Sequence, residues 1–264
     1  MSPVLWVQAL VGPALSGSGK VMPPLGKTMT DPNRIAYFLL KEVTRAIGEF
    51  ELIEDGDRVA VAVSGGKDSR AMLDLLLRHR HKVAYHYDLL ALHVDGSEAG
   101  LPNVRPELEA WLRDLDVEYD VIPLDLPPDE PLPLDCFRCS WIRRKTLFTA
   151  SVAAGCHKLA FGHHADDAAV TTLMNLMFNG RLETMEPRVV FFDGAVTVIR
   201  PVILLPEKKL IRYGRAAGYP DRPPCPQGEA SQRTAVEGFL RQFGPQQQQI
   251  RANLWRAARE IVGF

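Results

Sequence analysis

The run Arg58-Val-Ala-Val-Ala-Val63 leads directly into Ser64-Gly-Gly-Lys-Asp-Ser69. A short apolar run rich in valine predicts a buried strand over 59–63, and the glycine pair after it predicts a tight turn into a helix. Glycines allow backbone amides to approach a polyphosphate closely. The amides opening the next helix, from Asp68, favour anionic oxygens. Lys67 adds a point charge, and Ser64 and Ser69 add hydroxyls. The loop is not a Walker A loop. Val61 stands where that pattern has its first Gly, and Asp68 where it needs Ser or Thr. A Gly-Gly turn alone reads as a plain connection; the six residues together, after a buried strand, point to a nucleotide.

Strands and helices then alternate. Strands are expected at 59–63, 89–94, 119–124 and 158–161, and helices at 68–79, 104–115, 141–154 and 166–178. A first helix is expected from Asp31 as N-cap with Pro32 in the first turn. Short apolar strands separated by helices predict a doubly wound, Rossmann-like parallel α/β sheet. Ligands then bind at the carboxyl ends of the strands, where the 64–69 loop falls. Segments 188–192 and 195–199 flank Asp193-Gly194, a hairpin signal. A helix over 207–217 ends at Gly218, suited to a left-handed cap. Helices over 231–243 and 246–262 form a helical C-terminal extension. The expected organisation is an N-terminal extension at 1–30, disordered by composition, an α/β domain at 31–205, and a helical region at 206–264.

The net charge of −1 hides an asymmetry. Residues 1–135 hold 13 Lys and Arg against 22 Asp and Glu, whereas 136–264 hold 18 against 10. A positive half can attract a polyanion larger than a nucleotide, and a nucleic acid is the natural candidate; solvated helix faces are the plainer reading. No stretch approaches the ~20 apolar residues of a membrane span. Residues 1–30 lack a basic segment leading into an apolar core, so no secretory signal is expected there and the expected compartment is the cytoplasm. Four cysteines do not form a disulfide framework at this length, which leaves thiols or metal ligands.

Cys136-Phe-Arg-Cys139 stands at the mouth of a predicted helix, and Cys225 sits among prolines in Pro223-Pro-Cys-Pro226. Three thiolates can hold a cubane iron–sulfur cluster with one iron open. Zinc is the alternative, with His163 or His164 as fourth ligand. For Cys225 alone a buried free thiol is the lesser alternative, and Cys156 reads as a packed core thiol. Gly162-His-His-Ala-Asp-Asp167 follows a strand at the edge that carries the phosphate loop. Asp166 and Asp167 can hold Mg²⁺ or position a nucleophile, or simply cap the next helix. Asp95 ends the second strand, where backbone can read adenine.

The 64–69 loop resembles the pyrophosphate loop of the N-type ATP pyrophosphatases, which cleave ATP between the α and β phosphates. With Cys136-x-x-Cys139, the Gly162–Asp167 stretch, the late Cys225, the basic pair Arg143-Arg144 and Ile199-Arg-Pro201, the chain is similar to the tRNA 2-thiolation family of that superfamily over 31 to about 230. It is nearest to the 2-thiocytidine-forming branch, since it lacks the extra cysteines of the uridine-modifying members. The resemblance implies an adenine nucleotide alpha hydrolase-like fold, ATP and Mg²⁺, and a [4Fe-4S] cluster on Cys136, Cys139 and Cys225. It implies adenylation of a cytidine C2 oxygen in a tRNA anticodon loop and its replacement by sulfur. ATP would be held by Ser64, Gly65, Gly66, Lys67, Asp68, Ser69, Asp95, Gly162 and His163. Lys67, Arg143, Asp166 and Asp167 would serve the chemistry. Arg143, Arg144, Lys208, Lys209 and Arg212 would contact RNA. Expected partners are tRNA, a sulfur donor such as a cysteine desulfurase, and a second copy in a homodimer. One departure is visible: many relatives carry a second Cys-x-x-Cys late in the chain, where this one has Cys225-Pro-Gln-Gly228. The rival readings are a small-molecule-adenylating enzyme, a 2-thiouridine-forming enzyme, and a non-catalytic iron–sulfur RNA-binding protein.

Overall fold

The computed structural model describes residues 31–221 and 231–263. The extension at 1–30 and Cys225 lie outside the described residues. Helix α1 (Pro32–Glu49) begins as its sequence dictates, with the Asp31 carboxylate accepting from the Asn33 amide at 2.9 Å. There follow β1 (Arg58–Ala62), α2 (Lys67–Arg80), β2 (Asp88–Asp95), α3 (Arg105–Asp114), β3 (Glu118–Pro123) and α4 (Cys136–Ala153). The remaining elements are β4 (Lys158–Ala160), α5 (Ala165–Met174), β5 (Arg188–Phe191), β6 (Val196–Ile199), α6 (Glu207–Ala216), α7 (Gln232–Arg241) and α8 (Gln247–Val262).

Three local departures have physical causes. Helix α4 starts at Cys136 rather than 141, because Asp135 caps it by accepting from the Arg138 amide at 2.8 Å. The helix expected to reach 178 leaves α geometry after α5, in a π-helical turn over Asn175–Asn179 closed by left-handed Gly180. In the β5–β6 hairpin the left-handed run begins one residue earlier than the Asp-Gly signal placed it, at Phe192 (φ 53°), Asp193 (φ 52°) and Gly194 (φ 96°).

The described residues form a six-stranded sheet in the order β3-β2-β1-β4-β6-β5. β1 pairs in parallel with both β2 and β4, and β6 in parallel with β4; β5 alone runs antiparallel, against β6. The chain moves outward from β1 to β3 and returns to place β4 on the other side of β1. The crevice between the β1 and β4 ends is therefore the switch point at which doubly wound sheets bind ligands.

The period of two along β1 divides the core. Val59, Val61 and Val63 join Leu39, Val43, Leu73, Leu76, Leu210 and Tyr213 of α1, α2 and α6 in one large cluster. Ala60 and Ala62 face the other way, with Leu92, Leu147, Leu159 and Val196. Cys156 is fully buried in that second cluster, and burial raises its thiol pKa, as a packed core thiol should show. Helices α5, α7 and α8 pack around Val170, Val236, Leu240 and Leu254. No helix among the described residues is long and apolar enough to cross a membrane.

Candidate active site

The 64–69 loop is a closed hydrogen-bonded turn. The Ser64 amide donates to Ser69 Oγ at 3.1 Å, the Ser69 hydroxyl donates to the Gly66 carbonyl at 3.0 Å, and the two serine hydroxyls lie 3.2 Å apart. Gly65 has φ 81°, and a Cβ there would come 2.9 Å from the Val104 side chain, so only glycine fits. Gly66 is the N-cap of α2 and offers no side-chain cap, which leaves the first amides of the helix for an anion. Beneath the loop the Arg70 side chain is fully buried. It donates to the Gly65 carbonyl at 3.0 Å, pairs with Glu107 at 2.6 Å and lies over the Trp111 ring. This anchor was not legible from the loop motif.

Lys67 Nζ lies 2.9 Å from Glu207 Oε1 and 3.0 Å from Asp68 Oδ2. Burial opposes its charge, but the two carboxylates outweigh that and raise its pKa. Asp68 Oδ1 is buried, 4.0 Å from His164 Nε2 and without a hydrogen-bond partner among the described residues. An open carboxylate oxygen beside a glycine loop suits a hard cation with oxygen ligands, so these residues fit Mg²⁺ on a polyphosphate.

The Gly162–Asp167 stretch leaves β4 beside this loop. A Cβ on Gly162 would lie 3.1 Å from Asp68 C and Ser69 N. His164 and Asp167 form a capping box on α5: the His164 amide donates to Asp167 at 2.8 Å and the Asp167 amide to His164 Nδ1 at 3.4 Å. Asp167 also pairs with Arg233 of α7. Burial works against its carboxylate, but His164, Arg233 and the His164 amide outweigh that and lower its pKa. Asp166 caps a different helix, accepting from the Glu207 amide of α6 at 2.7 Å, and lies 3.7 Å from Arg251 of α8. Both aspartates thus have structural partners. Both line a small 440 Å³ cavity with Asp68, Glu207 and Arg251, but only Asp167 also reaches the main cleft.

That cleft, of 1260 Å³, opens between the strand ends and α4. Ser64, Asp68, Ser69, Gly162 and His163 line its floor, and Trp141, Arg143 and Arg144 its α4 wall. Arg200, Arg233, Phe191 and Phe192 complete it. Arg143 is half-buried and Arg144 exposed. His163 stacks on Phe161 with ring centroids 5.6 Å apart. Burial, then the nearby Arg200 cation, lower its pKa to about 4, so the ring is neutral at neutral pH. Burial likewise lowers Arg200 to about 10. Arg233 and Arg200 are site residues that residue patterns did not single out individually. Arg200 lies within the Ile199-Arg-Pro201 stretch, while Arg233 sits on a helix without a motif.

The other expected residues divide. Asp95 bends back to accept from the Ser97 amide at 2.9 Å, and that bond is the first cause of its lowered pKa. Its side chain serves a turn and does not line the cleft. Lys208, Lys209 and Arg212 are exposed on α6 and line neither cavity; Lys208 bonds Gln248 at 2.7 Å. Cys136 is exposed and Cys139 half-buried in the first turn of α4. Cys139 packs against the small cluster of Ala99, Leu134 and Ile142. Two thiols three residues apart stand on one side of the opening turn of a helix, and sulfur donors in that spacing suit iron, so the pair fits a cluster. Among the described residues no three His, Cys, Asp or Glu side chains gather as a metal site, so neither histidine joins the cysteines as the zinc alternative required. The reason is local: His164 caps α5 and His163 is stacked on Phe161.

No protein-family model matches the chain. A tRNA-cytidine(32) 2-sulfurtransferase from Aeromonas hydrophila subsp. hydrophila is 36% identical over 219 residues, spanning 80% of this chain and 72% of that protein. One from Polaromonas sp. is 35% identical over 247 residues, spanning 89% and 78%. The structure of the U34-tRNA thiolase NcsA from Methanococcus maripaludis with its [4Fe-4S] cluster matches with a TM-score of 0.70 at 23% identity, over 87% of this chain and 80% of that one. That likeness establishes the fold, a largely parallel sheet with helices on both faces. The sequence relatives go further, and by their identity and coverage the chain belongs to the tRNA-cytidine(32) 2-sulfurtransferase family.

Proposed function

We propose that this protein is an ATP-dependent tRNA sulfurtransferase that converts a cytidine of the anticodon loop, position 32, to 2-thiocytidine. The observation that carries the reading is the shared cleft. The phosphate loop forms its floor, and its wall is the helix whose first turn holds Cys136 and Cys139, in a chain 36% identical to a tRNA-cytidine(32) 2-sulfurtransferase.

The cytidine C2 oxygen attacks the α-phosphorus of ATP, and the α–β bond breaks with pyrophosphate leaving into the 64–69 loop. Lys67, the α2 amides and the Ser64 and Ser69 hydroxyls stabilise that leaving charge. Asp68, with its open Oδ1, would hold Mg²⁺ against the phosphates. Cytidine carries no proton on N3, so the attacking oxygen needs no base. Asp167 instead fixes Arg233 at the cleft, where it and Arg143 neutralise charge around the α-phosphate. Asp166 holds α6, and with it Glu207, beside Lys67. Gly162, the backbone of His163 and the backbone near Asp95 complete the nucleotide site. Cys136, Cys139 and Cys225 would hold a [4Fe-4S] cluster, which when bound would supply the sulfur at the sulfide level. Sulfur forms the new bond to C2 as the C2–O bond breaks, and AMP departs.

Arg144, Lys208, Lys209 and Arg212, with Arg143, contact tRNA phosphates. The helical region 206–264 serves to deliver Cys225, and Arg233 of α7 pairs with Asp167 at the cleft. We place the enzyme in the cytoplasm, as a homodimer, with a cysteine desulfurase-type donor. The test is anaerobic purification with iron and sulfide quantified, paired with mass spectrometry of tRNA nucleosides from a deletion strain. Loss of 2-thiocytidine is the expected result. Unchanged nucleosides would favour a small-molecule substrate.

A further inference from the structure

Two polar atoms on one side of the cleft have no partner among the described residues. His163 Nδ1 and Arg200 Nε are both buried, and neither makes a hydrogen bond to a described residue. Both side chains line the cleft at the ends of β4 and β6, next to the phosphate loop. Each is held by other contacts. Arg200 donates through Nη1 to the Glu186 carbonyl, and the His163 ring is stacked on Phe161. A buried polar atom without a partner is costly to a fold, so two in one cavity point to a ligand that supplies both.

Their chemistry selects that ligand. Arg Nε–H can only donate. A neutral imidazole with its proton on Nε2 accepts at Nδ1. With the ring in that tautomer, which cytosine's 4-amino donor would select, the pair presents one donor and one acceptor. On the pyrimidine edge, cytosine offers an acceptor at N3 and a donor at its 4-amino group. Uracil reverses both, with N3–H donating and O4 accepting. We propose that Arg200 and His163 read the target base, Arg200 Nε–H donating to cytosine N3 and His163 Nδ1 accepting from the 4-amino group. This assignment rests on the thiolation reading and adds to it the residues that admit cytidine and reject uridine. It also leaves the C2 oxygen, next to N3, directed away from His163 and free to meet the nucleotide.

The test uses the full-length protein with its cluster reconstituted anaerobically and a non-hydrolysable ATP analogue. Binding is measured for anticodon stem-loops carrying cytidine, uridine or 3-deazacytidine at the target position. The wild type should prefer cytidine over uridine by about 10- to 100-fold, the discrimination of a good base-edge contact. It should also weaken toward 3-deazacytidine, which lacks the N3 acceptor. Arg200→Met should bring the three affinities close together while binding the ATP analogue normally, and His163→Phe should lose part of the preference. A wild type indifferent to 3-deazacytidine overturns the assignment whether or not the variants fold, as does an Arg200→Met protein that keeps the full cytidine preference. Nucleoside analysis separates the two levels. If the wild type forms 2-thiocytidine while either overturning result holds, only the base-reading assignment fails; if it forms none, the thiolation reading itself has failed.

Discussion

The two faces of the central sheet are built to different rules. On one, α1, α2 and α6 bury Val59, Val61, Val63, Leu73, Leu76 and Tyr213 in a continuous apolar cluster. On the other, α4 covers small residues such as Ala60 and Ala62, and a 1260 Å³ cleft remains lined by Arg143, Arg144, Arg200 and Arg233. The first face supplies stability and the second trades packing for charge and space. β1 serves both through alternate residues, and the phosphate loop hangs from its end.

The sharpest way to probe this contrast is on the shared loop. Lys67→Ala should lower the rate of adenylation by about a thousandfold, the scale of losing a principal group that stabilises developing charge. Iron content should stay at the wild-type level, and near-normal pyrophosphate release would remove the loop from the reaction. On the closed face, Leu76→Ala should cost about 3 kcal/mol in denaturant unfolding, since Leu76 is fully buried. The folded fraction should bind ATP as before.

On the open face, His163 gives a pH signature. Its folded pKa of about 4 lies below the ordinary 6.5, so the native state binds fewer protons than the unfolded chain between those values. Stability is therefore fully present above the unfolded pKa and falls as pH drops toward the folded one, by up to about 3 kcal/mol. His163→Gln should flatten that limb in pH-dependent melting, and an unchanged limb would assign the acid loss to other groups. Arg233→Ala should cost about 1–2 kcal/mol. This is less than breaking a fully buried pair, because Arg233 is 41% exposed, although its partner Asp167 is not. The double variant with Asp167→Asn should recover part of the loss. Smallest of all, Lys208→Ala and Lys209→Ala should each reduce the salt dependence of tRNA binding by about one counterion. No change in slope would confine RNA contacts to the cleft.

Much of this was legible in the chain itself. The strand–loop–helix unit, the alternation that gives a doubly wound sheet, and the Asp31 and Gly218 caps follow from local rules that act within a few residues. The cleft's arginines were harder to see. Arg233 and Arg200 reach the site through α7 and the end of β6, and only tertiary packing brings them to Asp167 and His163. The paired aspartates carried two readings at once, chemistry and helix capping. Their spacing suits a metal or a base, yet Asp166 caps α6 and Asp167 caps α5, roles that depend on where Glu207 and His164 lie.

Gly162 links the sequence's two most informative motifs. Its missing side chain is the space through which the backbone at Asp68 and Ser69 passes, 3.1 Å from where a methyl group would stand. A single added carbon there would press the phosphate loop's backbone back by a few tenths of an ångström, although Gly162 brings no side chain to the nucleotide it helps to hold. An inactive variant at this position would report a displaced neighbour, and a scan that equates lost activity with lost chemistry would assign the wrong residue.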